Sequence, residues 1–119
     1  MITLEMLQAQ NRAARTANAA QMAFAKAKNK EQKMLRGFSP DDAAIFRLEG
    51  AMLKWPNAAE RMAISDLIHY ISTGRSSAQF AREIRDMSPY RFKTLCRKVC
   101  ECNSTTDENI RVAKEYVLK

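Results

Sequence analysis

Glycine and proline are scarce in this chain, with three of each among 119 residues. Turns in an all-β protein draw on both, so the shortage excludes a sandwich or barrel and favours helices joined by short links. Histidine occurs once, which leaves little material for acid–base chemistry. There is no glycine-rich phosphate loop and no serine in a nucleophile elbow. No apolar run approaches the roughly 18 residues of a membrane-spanning helix. The opening MITLEMLQAQ lacks the charged-then-apolar pattern of a secretory leader. The three cysteines are an odd number, so a complete disulfide framework is excluded and reduced thiols in the cytoplasm are expected. These gaps predict a non-enzymatic, cytoplasmic protein without a cofactor and without a membrane partner.

Hydrophobic residues make up 46% of the chain, enough for one modest core and too many for a disordered polymer. The net charge is +7, and it is unevenly placed. Residues 1–38 hold seven Lys/Arg against two Asp/Glu, residues 39–77 four against five, and residues 78–119 nine against six. A basic excess at both ends attracts phosphate backbones or acidic protein surfaces, or simply keeps the protein soluble.

Residues 3 to about 36 contain neither glycine nor proline and are rich in alanine, which predicts one long N-terminal helix ending before Gly37. Its apolar residues are clustered, with Leu4 and Leu7 near the start and Met22, Phe24, Met34 and Leu35 further on. Ser39-Pro40-Asp41-Asp42 supplies a cap, a first-turn proline and two first-turn acids for a helix to about Lys54. Asn57 with Glu60 opens a helix to about Thr73, with Ala59, Ala63, Ile64, Leu67, Ile68 and Ile71 as its apolar stripe. Ser76 or Ser77 caps a short helix with Phe80, Ala81 and Ile84 inward. Ser88-Pro89 starts another over about 89–101, with Met87 able to staple onto Phe92 and with Leu95, Cys96 and Val99 buried. Thr105 with Glu108 forms a capping box for a last helix, with Ile110, Ala113 and Val117 inward. The expected fold is all-α. A long basic, alanine-rich helix over 1–38 precedes a compact helical bundle over 39–119.

Residues 76–99 read SSAQFAREIRDMSPYRFKTLCRKV. A short helix carrying a small residue at Ala81, a tight link and a basic amphipathic helix follow one another, and the segment 76–102 resembles a helix-turn-helix. It is similar to the DNA-binding segments of many bacterial and phage regulators. The resemblance implies that Ala81 lets the second helix cross closely, with Phe80, Ile84, Phe92 and Leu95 filling the crossing. It implies a recognition helix whose outward arc, Tyr90, Thr94 and Arg97, contacts bases. Arg82, Arg85, Arg91, Lys93 and Lys98 would contact phosphates. The usual turn glycine is missing, Arg85-Asp86-Met87 stands in its place, and the link reads about one residue longer than usual. Glu101 lies on the same outward arc. An ordinary helical hairpin with its charges facing water accounts for the same residues.

The first functional expectation is a DNA-binding transcriptional regulator of phage or plasmid type, acting on double-stranded DNA as a homodimer. Lys26, Lys28, Lys30 and Lys33 on the first helix are expected to add phosphate contacts, and Leu4 and Leu7 to pair two subunits. The alternative is a helical protein–protein module, such as a phage-encoded inhibitor of a host or defence complex. Its partner would be acidic or would itself bind nucleic acid. A third reading is RNA binding through the basic N-terminal helix. Cys96, Cys100 and Cys102 with His69 are set aside as a zinc site, because the C-x3-C-x-C spacing is uncommon and Cys96 falls on a buried face.

Overall fold

The computed structural model describes residues 3–102 and 105–119; the side chains of residues 5, 7, 9–18 and 20 lie outside the described ones. Local signals account for most helix starts. The Thr3 hydroxyl accepts from the Met6 amide at 3.2 Å at the head of α1 (Leu4–Met34). Ser39 accepts from the Asp42 amide at 3.1 Å and starts α2 (Pro40–Lys54). Asn57 accepts from Ala59 at 2.8 Å and starts α3 (Ala58–Ser72). Ser77, rather than Ser76, caps α4 (Ala78–Asp86) through the Phe80 amide. Ser88 caps α5 (Pro89–Glu101) through Arg91. In each case one hydroxyl or amide oxygen satisfies a first-turn donor that the helix leaves open. Gly37 and Gly74 adopt positive φ, 89° and 73°, where a Cβ would be strained.

The last start differs from expectation. Thr105 makes no side-chain capping bond to α6 (Thr106–Leu118). Glu108, expected to complete the box, turns to Arg111, which also pairs with Glu115 at 2.7 Å. That pairing holds the Glu108 carboxyl below the usual carboxylate range. A guanidinium one turn away competes better for the carboxylate than a backbone amide does.

Among the described residues all regular structure is helical, and no helix is long and apolar enough to cross a membrane. The chain divides into two compact units, Met1–Met34 and Leu35–Lys119. The second holds the core. Leu48 of α2, Ile64, Leu67 and Ile71 of α3, Phe80 and Ile84 of α4, Leu95 and Val99 of α5, and Ile110 of α6 form one buried cluster. Met87 is buried and Phe92 packs on the cluster, as the expected staple requires. Ala59, read as part of the α3 stripe, is exposed. It lies in the first turn, before α3 reaches the core. Trp55 and Tyr70 sit half-buried at the cluster edge.

The link between α4 and α5 is shorter than the sequence suggests. Arg85 and Asp86 belong to the last turn of α4, leaving only Met87 and Ser88 between the helices. Both are extended, with φ/ψ of −62°/144° and −63°/152°. An extended two-residue link needs no left-handed residue, which explains the missing glycine. The main neighbour of α4 is α2, while α5 lies against α3 and α6. The close α4–α5 crossing over Ala81 is therefore not the principal packing. The corner is filled instead by an arginine from α2.

Candidate nucleic-acid interface

Arg47 is 5% exposed and lies among the buried alanines and leucine of α2. Its guanidinium donates to the Ile84 carbonyl, to Arg85 O at 3.2 Å and to Met87 O at 3.2 Å. It also lies 4.1 Å from the Phe92 ring centre. The last carbonyls of a helix lack intrahelical donors and carry the negative end of its dipole, so a planar five-donor cation suits them. The ring face of Phe92 adds a cation–π contact. One side chain thus ties α2 to the end of α4 and the first turn of α5. Sequence reading missed it, although its position beside Leu48 and one turn after Ala44 puts it in the α2 inward stripe.

The other arginines sort by what they touch. Arg91, expected on phosphate, donates to Tyr116 O at 2.7 Å and Val117 O at 3.0 Å and sits over the Tyr116 ring. It binds the end of α6 to α5. Arg61 reaches the Trp55 and Pro56 carbonyls after α2. Arg85 pairs with Asp86 at 3.1 Å. Arg82, Lys93, Arg97 and Lys98 are exposed, and their side chains form no hydrogen bond or ion pair among the described residues. Lys26, Lys30 and Lys33 are exposed on α1 and Lys28 is half-buried there.

The α5 surface therefore has a defined chemistry. Leu95, Cys96 and Val99 are buried, which turns Tyr90, Arg97 and Glu101 outward at helical spacing. Tyr90 is 68% exposed. Lys93 and Lys98 flank that arc. Thr94 is half-buried and its hydroxyl donates back to the Tyr90 carbonyl at 3.1 Å, which leaves its oxygen as an acceptor. Beside the arc an open groove of about 510 Å³ runs between α4, its link and the end of α6. Arg82 and Arg91 line it together with Glu83 and Asp86, while the solvated cations Lys93, Arg97 and Lys98 stand on α5 and Arg82 is exposed at the groove edge. On α6, Arg111 is held between two acids.

The thiols are placed for packing. Cys96 is buried and its pKa is pushed up to about 12, chiefly by burial. Cys100 donates to the Glu60 carbonyl at 3.6 Å and its pKa is raised to about 11, again chiefly by burial. Among the described residues no group of three His, Cys, Asp or Glu could hold a metal ion, and His69 is exposed. At pH 8 only about one part in a thousand of a thiol with the Cys100 pKa is thiolate, against roughly a tenth or more for an ordinary cysteine. Alkylation followed by peptide mass mapping should therefore modify Cys96 and Cys100 at least tenfold more slowly in the folded than in the denatured protein. Stability should also fall as pH rises from about 9 towards 11, because the unfolded thiols lose protons first.

No family model, curated protein or solved structure matches this chain.

Proposed function

We propose that the protein is a non-enzymatic nucleic-acid-binding protein, with double-stranded DNA as its ligand and the outward face of α5 as its reading surface. In class it is a small transcriptional regulator of phage or plasmid type. The supporting observation is the sorting of cations around α5. Arg47, Arg61 and Arg91 serve helix-end carbonyls, whereas Lys93, Arg97 and Lys98 stay in water without a partner among the described residues. A rigid helix carrying solvated cations on one arc can meet phosphates without first breaking ion pairs. Arg97 and Tyr90 are the base-contacting candidates with Thr94 between them, and Arg82, Lys93 and Lys98 take phosphates. The reading rests on this surface and not on a helix-turn-helix crossing. Glu101 opposes it, so Glu101→Gln is expected to strengthen DNA binding severalfold at low salt, measured by fluorescence anisotropy.

A second reading has its own support. Phe46 and Leu53 leave large apolar surface on α2 exposed, 42% and 83%, which suits a protein-binding module. In that case neutralising Lys93, Arg97 and Lys98 would change DNA binding no more than neutralising Lys114 and Lys119.

A further inference from the structure

The outward face of α2 is built for a partner that the body does not supply. Ala43, Ala44, Arg47 and Leu48 are buried, which turns Asp42, Phe46, Glu49 and Leu53 outward on the opposite side. Phe38 meets Phe46 edge to face at 5.8 Å and widens the apolar surface. Gly50 lies beside it. Glycine inside a helix costs about 1 kcal/mol relative to alanine, and among the described residues nothing outside its own stretch of helix lies within 4 Å of where its Cβ would be. No packing among the described residues of the body explains it, and a close-approaching helix would.

The acids decide what can cover this face. A second α2 face would bring Asp42 and Glu49 against like charges. A basic helix with small residues fits instead, and the chain contains one. On α1, Ala23, Ala27, Lys30 and Met34 recur at spacings of four, three and four and share one face. All four are exposed, Met34 by 55%. Lys26 and Lys33 flank that stripe and are exposed. Their separation of seven residues equals that of Asp42 and Glu49, and Phe46 and Leu53 are also seven apart. Two turns of helix rise about 10.5 Å, so both charge pairs can meet in one register while the alanines admit the aromatic and leucine side chains.

We infer that the protein is a homodimer in which α1 of each copy docks on the Asp42–Phe46–Glu49–Leu53 face of the other. This goes beyond the DNA reading and requires no nucleic acid. Each arm-to-face contact joins two different surfaces, and a two-fold axis repeats it, so the pair closes as an isologous dimer.

Two charge-reversed full-length chains test it, one carrying Asp42→Lys and Glu49→Lys, the other Lys26→Glu and Lys33→Glu. Sedimentation equilibrium without nucleic acid is the readout, with circular dichroism as the control for folding. The wild type should have the mass of two chains. Each variant alone should associate at least about tenfold more weakly, since two attractive pairs in each of the two contacts become repulsive. Mixing the variants should restore the dimer, because each reversed arm then meets a reversed face and each native arm a native one. A monomeric wild type, a dimer unaffected by either reversal, or folded variants whose mass does not rise on mixing would overturn the proposal. The last outcome is the one expected of α1 docking on its own chain. A positive result would stand even if DNA binding failed.

Discussion

Replacing Arg47 with alanine is expected to lower the unfolding free energy by about 3–5 kcal/mol, the largest effect of any single substitution outside the apolar core. The side chain is nearly inaccessible, and it satisfies carbonyls of Ile84, Arg85 and Met87, two of them in buried contacts. Removing it leaves acceptors without donors at the end of α4, at roughly 1–3 kcal/mol for each buried one. It also leaves a void beside Phe92, which loses its cation. Arg47→Met separates these contributions. Methionine keeps much of the stem volume and packs well, so it should recover part of the loss and still fall about 2 kcal/mol short of wild type. Arg47→Lys keeps the charge but presents a point donor that cannot span three carbonyls or stack as a plane, and it should also be destabilised. Trp55, packed at the core edge, reports unfolding of the body in urea. An Arg47→Met protein as stable as wild type would show that the hydrogen bonds to α4 contribute little.

The second large effect concerns DNA. Arg97→Ala is expected to cost about 1–3 kcal/mol of affinity for a preferred site, or roughly 5- to 150-fold, and to relax selectivity there. Its side chain is exposed and unpaired within the described residues, so stability should change by less than about 0.5 kcal/mol. Arg91→Ala should behave in the opposite way. It removes two bonds to the end of α6 and should destabilise the fold, so any loss of DNA binding would track unfolding. Arg111→Ala, on a surface already neutralised by Glu108 and Glu115, should leave affinity within about twofold. Competition binding with a selected duplex, run beside urea titrations of the same variants, separates the three patterns.

Much of the helical framework was legible because its signals are local. Ser39-Pro40, Asn57 and Ser88-Pro89 each mark a helix start within three residues, and Ile64, Leu67 and Ile71 show their burial by spacing alone. What escaped depends on partners distant in sequence. Arg47 meets carbonyls 37 to 40 residues away. Asn109, fully buried on α6, donates to the Ala63 carbonyl 46 residues away. A polar residue in an apolar stripe reads as a break in the pattern until its acceptor is seen. The α6 contacts of Arg91 escaped for the same reason, since its charge is visible in sequence and its acceptors on α6 are not. The α4–α5 corner was misjudged because it is set by an extended link and by Arg47, neither of which carries a glycine signature. Of the two residues expected to pair subunits, Leu4 is exposed at 71%, and the side chain of Leu7 lies outside those described.

DNA binding by Lys93 and Lys98 of α5 with Arg82 of α4 is tested by a salt titration. Binding of a mixed-sequence duplex should be micromolar at low salt and should weaken as log Kd rises linearly with log salt concentration. With Arg82, Lys93 and Lys98 on phosphates the slope should be about 2.7, falling by about 1 with each of the three replaced by alanine. A folded wild-type protein with no detectable duplex binding at low salt, or a slope unchanged when Lys93 and Lys98 are both removed, would contradict the account.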